Sequence, residues 1–275
     1  MPPPNFHHIS FAKYQGTGND FVVVDWPWPN LPACCAIQRM CDRRFGIGAD
    51  GILLLQPPSD PTGHSKMILF NSDGSRPEMC GNGLRCAALH LAAREPARSP
   101  HVLVIDTDAG PRTCELTELG DAHACVRVDM GIVTKPSQIE LDSPPLRLHL
   151  VSVGNPHAVL LDPGPHMDVS ALGPTLSTHP HFPNGVNAGF ARVITPTRID
   201  LQVWERGAGL TLACGTGACA AVAAAWAAGC LQRPTDIEVQ LPGGLLTVDL
   251  DPATFRMWLR GPADRVFSGE IPWPT

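Results

Sequence analysis

Two cysteines stand in settings that could do chemistry. Cys80 opens Cys80-Gly81-Asn82-Gly83, Cys214 opens Cys214-Gly215-Thr216-Gly217, and an Ala-rich run follows each. Such runs favour helix, so each thiol is expected at a helix N-terminus. There the helix dipole and free N–H groups stabilise a thiolate and can lower a thiol pKa from about 8.5 into the neutral range or below it. The neighbouring glycines let backbone approach a ligand, and exposed N–H groups can hold a carboxylate. Each segment therefore offers an acid or base beside an anion site. Together they suit inversion of a stereocentre, with a thiolate taking a proton from one face of a carbon and a thiol delivering one to the other. A carboxylate held between two helix starts would spread the charge that develops. One alternative is that both cysteines are ordinary helix-start residues in tight turns. Another is a hydrolase with one nucleophilic cysteine and a histidine base, which leaves the second cysteine unexplained.

The surroundings of the two cysteines repeat. Gly18-Asn19 leads through an apolar run to Asp25, and Gly154-Asn155 leads through another to Asp162. Asn19 lies 61 residues before Cys80, and Asn155 lies 59 before Cys214. An aromatic residue, Phe70 or Trp204, precedes each cysteine by ten positions. Matches in the same order at nearly the same spacing point to duplicated halves. The expected division is residues 1–120 and 121–275, near the Gly120-Asp121 turn, with the last ten or so residues packing back on the first half. Two such halves related by a pseudo-twofold would face each other across a cleft.

The elements that must position these residues are mixed. Strand-like runs occur at Phe21–Val24, Ile52–Leu55, Met67–Phe70 and Val102–Ile105, then at Leu146–Val153, Ala158–Leu161, Ile199–Trp204, Ile237–Leu241 and Leu245–Leu250. Helices are expected over Ala33–Arg43, Leu84–Arg94 and Ala218–Ala228. Strands dominate without a regular β-α-β alternation, so the expected class is α+β. The 275 residues, 44% of them hydrophobic, can bury a sizeable core. A net charge of −6 without a basic stripe argues against nucleic-acid or membrane partners. The start of the chain does not read as a secretory leader. Ten cysteines without a Cys-x-x-Cys pair do not suggest a zinc ribbon. Cys34, Cys35, Cys41, Cys114, Cys125 and Cys230 are expected to be reduced, buried, small apolar residues. The histidines show no metal-ligand spacing.

At these residues the chain resembles the diaminopimelate epimerase family. The resemblance runs from Phe11 to about Gly269. Carrying it are Gly16-Thr17-Gly18-Asn19-Asp20-Phe21, Gly46-Ile47-Gly48-Ala49-Asp50-Gly51, Phe70-Asn71-Ser72-Asp73-Gly74-Ser75, Met79 through Cys86, Gly154-Asn155-Pro156-His157, Gly185 through Phe190, and Glu205 through Gly217. It implies two similar domains, each with strands curled around a central helix. It implies interconversion of LL- and meso-diaminopimelate in lysine and peptidoglycan-precursor biosynthesis, without pyridoxal phosphate, another cofactor or a metal. Cys80 and Cys214 match the two acid/base positions. Gly81, Asn82, Gly215 and Thr216 match the loops holding the reacting carboxylate. Asn19, Asn71, Asn155, Asn187 and Arg206 match substrate contacts. His157 and Glu205 match polar residues that tune the thiols, Glu205 also at the substrate. The implied protein is a cytoplasmic homodimer. Gly51 departs from the Gln of other members, and Leu210 from a Glu. Phe267 replaces a dimer-forming Tyr.

The polar residues also have readings of their own. Arg206 is a natural bidentate partner for a carboxylate distal to the reacting centre, or else part of an ion pair bridging the halves. Asn residues beside Gly are common in turns, and His157 by itself would be a structural histidine. A proline racemase-like enzyme and a non-catalytic binding protein of the same fold are the competing functions. The first lacks a use for Arg206 and the four Asn positions, and the second lacks a use for the cysteines.

Overall fold

The computed structural model describes residues 6–77, 79–94, 101–164 and 167–274. It divides into two compact units, Met1–Val126 with Pro262–Thr275 and Arg127–Gly261. Both divisions fall inside strands, β7 (His123–Ile132) and β16 (Arg256–Pro274).

The first unit carries β1 (Phe6–Gly16), β2 (Asn19–Asp25), α1 (Cys34–Cys41), β3 (Gly51–Gln56), β4 (Ser65–Asn71), α2 (Gly81–Arg94), β5 (Val102–Thr107) and β6 (Gly110–Thr117). These strands pair in sequence order, and β6 continues to the first stretch of β7. The far stretch of β16 lies along β1 and β16 also neighbours β7, with Arg265 N–H bonding Ala122 O just before that strand at 2.7 Å, so the circuit of pairings closes. Inside it, α2 packs on β1 through β6. Gly81 to Leu89 are buried without interruption, the pattern of a helix surrounded on every side.

The second unit repeats the plan with β8 (Ser137–Asp142), β9 (Pro145–Ser152), β10 (Pro156–Leu161), α3 (Val169–Ser177), β11 (Asn187–Thr195), β12 (Arg198–Glu205), β13 (Gly209–Thr211), α4 (Gly215–Ala227), β14 (Ile237–Leu241) and β15 (Gly244–Leu250). The strand order is β8-β9-β10-β11-β12-β14-β15, then the near stretch of β16, with β13 on β12. Parallel pairs occur at matching places. They are β2–β3 and β4–β5 in one unit, and β10–β11 and β12–β14 in the other. Each spans a helix, so two β-α-β crossovers lie within each mixed sheet. Residues Gly215 to Ala225 of α4 are all buried, and Ala side chains let five strands approach it. The helix stops at Gly229 (φ +73), where Gly229 N–H bonds Trp226 O at 3.0 Å and Cys230 N–H bonds Ala225 O at 2.9 Å. That is a Schellman ending.

Several expectations need correction. Helix α1 stops at Cys41, because the Asp42 carboxylate accepts the N–H groups of Arg44 and Phe45 and turns the chain. Helix α3 escapes a reading of its Gly173-Pro174 pair, yet Asp168 caps it by accepting Ser170 and Ala171 N–H at 2.9 and 3.1 Å. Cys34 and Cys35 are exposed, since α1 buries Ile37, Met40 and Cys41 instead. Cys125 and Cys230 are half-buried, and only Cys41 and Cys114 of that group lie in the core. Among the described residues no helix is long and apolar enough to cross a membrane.

Candidate active site

Both cysteines meet a helix start in the same way. Cys214 is the N-cap of α4, with extended backbone (φ −129, ψ 105), and its sulfur accepts Gly217 N–H at 3.3 Å. Cys80 immediately precedes α2, and its sulfur accepts Gly83 N–H at 3.4 Å. Neither helix has an acidic residue in its first turn, so no carboxylate competes for the positive end of the dipole. A negative charge on either sulfur meets an aligned N–H and a favourable dipole. Cys214 is buried and Cys80 half-buried.

Around Cys80 the first unit gathers two of the expected asparagines. The Asn82 amide donates to Asn19 Oδ1 at 3.1 Å, and the Cys80 sulfur lies 4.0 Å from that oxygen. The other end of the Asn19 amide donates to Asp50 Oδ2 at 2.8 Å. Asp50 belongs to a charged net in which Arg43 bonds both Asp50 and Asp20 at 2.7 Å and Lys13 reaches Asp20 at 2.6 Å. Burial would raise the Asp20 carboxyl, but hydrogen bonds from Arg43 and Lys13 outweigh it and hold that group well below the usual carboxylate range. Asp50 therefore fixes which way the Asn19 amide points. The expected residues did not include Lys13, Arg43 or Asp50. Asp50 stands in a motif that already drew notice, Gly48-Ala49-Asp50. Gly81 starts α2 and is buried. Asn71 ends β4 opposite Gly51, and its amide is held by Ser75 Oγ at 2.9 Å in an exposed turn.

Around Cys214 the second unit gathers Thr216, His157 and Asn155. Thr216 Oγ1 is 3.4 Å from the sulfur and accepts the Asn155 amide N–H at 3.3 Å. His157 Nε2 lies 3.0 Å from Thr216 Oγ1 and 3.1 Å from Asn155 Oδ1, an acceptor, so the ring carries its proton on Nε2. With N–H donors already at its oxygen, Thr216 is left to donate its hydroxyl towards the Cys214 sulfur. His157 is fully buried. Desolvation, reinforced by the charge of Arg206, pushes its pKa down to about 3, so the ring is neutral. Gly215 opens α4 beside these groups and is buried.

A third group lies at the ends of β11 and β12. Asn187 Nδ2 donates to Pro156 O at 3.1 Å, and its Oδ1 accepts Arg206 N–H at 2.9 Å. The exposed Arg206 side chain touches Asn184 O at 2.9 Å and pairs with no carboxylate among the described residues. The ion-pair reading of Arg206 therefore finds no partner there. Glu205 accepts the Thr211 hydroxyl at 2.6 Å. Thr211 was another unexpected partner, lying on the short strand β13. Among the described residues no cluster of three or more His, Cys, Asp or Glu is placed to hold a metal.

Comparison with known proteins finds relatives over nearly the whole chain. The profile of the family described as Diaminopimelate epimerase matches residues 11–136 and 149–266. The chain is 43% identical to the diaminopimelate epimerase of Alkalilimnicola ehrlichii, over 96% of this chain and 98% of that one. It is 41% identical to that of Synechococcus sp. strain JA-2-3B'a(2-13), over 95% and 97%. Among solved structures, a hydroxyproline epimerase from Agrobacterium vitis aligns with TM-score 0.75 at 15% identity, covering 98% of this chain and 92% of that one. A probable proline racemase from Agrobacterium radiobacter aligns at 0.73 and 16%, covering 96% and 92%. At such identities these two likenesses speak for the fold alone.

Proposed function

The chain belongs to the diaminopimelate epimerase family, and from that premise we propose that it interconverts LL- and meso-diaminopimelate, a step of lysine biosynthesis, using Cys80 and Cys214 as its acid/base pair. One sulfur, as thiolate, takes the α-hydrogen as a proton. The C–H bond breaks, an S–H bond forms, and the electron pair is delocalised into the α-carboxylate. The other sulfur, as thiol, gives its proton to the opposite face of the carbon and is left as thiolate. The roles exchange for the reverse reaction, and no net oxidation occurs. The observation that carries this reading is the twin setting of the sulfurs, each accepting the N–H three residues on at the first turn of a buried helix.

The remaining roles are those that the family's motifs imply for the positions they match. Gly81 and Asn82 at one helix start, and Gly215 and Thr216 at the other, hold the reacting carboxylate. Asn19, Asn71, Asn155, Asn187, Glu205 and Arg206 contact the substrate. The neutral His157 and Glu205 tune the thiols, His157 through Thr216. The two units are duplicated halves, each supplying one proton carrier. The enzyme works in a reducing compartment, the cytoplasm, as a homodimer. The exposed Val266 and Phe267 of β16 supply apolar surface for that contact.

Incubation with LL-diaminopimelate in deuterium oxide under reducing conditions tests the reaction. Meso product with one α-deuterium is expected. Cys80→Ala and Cys214→Ala should each abolish turnover while circular dichroism stays native. Near-wild-type turnover by either variant rules out the two-cysteine mechanism. Proline, run as a control substrate, should be left unchanged.

A further inference from the structure

The hairpin that presents Asn19 is built against local preference. Gly16 pairs with Asn19, leaving Thr17 and Gly18 as a two-residue turn, and both have positive φ, +56 and +81. That is the signature of a type I′ turn, whose first position favours Asn, Asp or Gly. A β-branched residue there is a conformational outlier that surrounding contacts must hold. The contact that holds Thr17 comes from Arg85. Its Nη2 donates to Thr17 Oγ1 at 2.7 Å, and its Nε donates to Pro262 O at 3.0 Å.

Arg85 is itself unusual. It is a fully buried guanidinium on α2, five residues after Cys80, with no carboxylate partner among the described residues and with Nη1 unbonded. Burying a cation without a counter-charge carries a desolvation cost that hydrogen bonds only partly offset. The equivalent position of the second unit, five residues after Cys214, is Cys219, a buried uncharged residue. Filling the interior of such a unit therefore does not require arginine. Gly16 makes room for the clamp, since a Cβ there would come within 3.0 Å of Nη2.

We infer that Arg85 is a positioning residue for the reaction: its guanidinium locks Thr17 in the turn, and so keeps the Asn19 amide set against Cys80 and Asn82. This rests on the proposed two-cysteine chemistry. The clamp acts through the turn, so its loss should be cured by a turn that no longer needs holding.

The test combines Arg85→Met, Thr17→Val, Thr17→Ser and the double variant Arg85→Met/Thr17→Gly. Arg85→Met and Thr17→Val should each lower kcat/KM for LL-diaminopimelate by about tenfold or more, and Thr17→Ser, which keeps the hydroxyl, should stay near wild type. The double variant should recover most of the loss, because glycine adopts positive φ freely. Hydrogen–deuterium exchange without substrate should rise in segment 15–21 for Arg85→Met and Thr17→Val only. Should Arg85→Met fail to fold, Thr17→Val against Thr17→Ser still decides. A double variant as poor as Arg85→Met alone, or a fully active Thr17→Val, overturns the clamp. If the wild type shows no epimerisation, the functional reading falls, while the exchange pattern still judges the clamp.

Discussion

The neutral, buried His157 makes a quantitative prediction about pH. Unfolded, this imidazole takes up a proton near pH 6.5, but native burial pushes its pKa to about 3. Between those values the unfolded chain binds more protons, so stability falls as pH drops from 6.5 towards 3, and the contribution is complete above 6.5. At about 1.4 kcal/mol per pH unit the ceiling is about 5 kcal/mol. Because the ring is fully buried, little solvent screening reduces it. Between pH 6 and pH 4 the histidine alone should remove roughly 2–3 kcal/mol. His157→Gln keeps a hydrogen-bonding side chain of similar reach for Thr216 and Asn155 but cannot take up the proton. Urea unfolding of both proteins at pH 6, 5 and 4 is the assay. The carboxylates and His149 contribute equally to both and cancel in the difference. The wild-type midpoint should lose about 1 M more urea than the variant over this range, for an m-value of 2–3 kcal/mol/M. Parallel losses in the two proteins would refute a neutral, desolvated His157.

Arg206→Met should raise KM for diaminopimelate at least tenfold and shift Tm little, because the exposed guanidinium bonds a backbone carbonyl and no carboxylate among the described residues; equal losses of affinity and Tm would restore a structural role. Gly217→Ala should reduce kcat more than stability, since a Cβ there would lie 2.9 Å from Val203 Cγ2 and 3.2 Å from the Cys214 sulfur; steady-state kinetics beside thermal melts would separate the two. Peroxide should inactivate the enzyme by linking Cys80 to Cys214, with recovery in dithiothreitol; peptide mapping that finds these two unlinked in all inactive protein would dismiss that route.

Much of the helix placement was legible because composition and position agreed. The Ala-rich run after Cys214 has no polar stripe, and it folds as a helix buried on all sides. The apolar runs at Phe21–Val24 and Ile52–Leu55 become β2 and β3 for the same reason, their side chains being buried on both faces. What escaped was set by tertiary contact. Helix α3 contains Pro174, a breaker by local rules, and it persists through its Asp168 cap and its packing on β12, where Gly173 lets Trp204 come close. Strand β16 runs through Gly261-Pro262 and Ser268-Gly269, which read as turn residues, and is held straight by partners distant in sequence. In the site, the residue types beside the sulfurs could be named in advance. Their supports could not, because Asp50 and Arg85 look like surface charges until the fold brings them to Asn19 and Thr17.

The two halves reach the same sulfur geometry by opposite physical means. Asn19 is steered by charge, through an Asp50 tied to Arg43, Asp20 and Lys13. Arg43 and Asp50 have side chains 57% and 43% exposed, so water and salt weaken that part of the net. Thr216 is steered by neutral donors, His157 and Asn155, with the ring fully out of solvent. A buried neutral relay resists salt but is sensitive to protonation, whereas a partly exposed charged net is sensitive to salt. The proposed acid/base pair, whose members must hold opposite protonation states, has use for two differently built surroundings, since identical ones would favour the same state in both thiols. The two units share the helix-start setting, and the divergence between Asn19 with its charges and Thr216 with its histidine distinguishes one sulfur from the other.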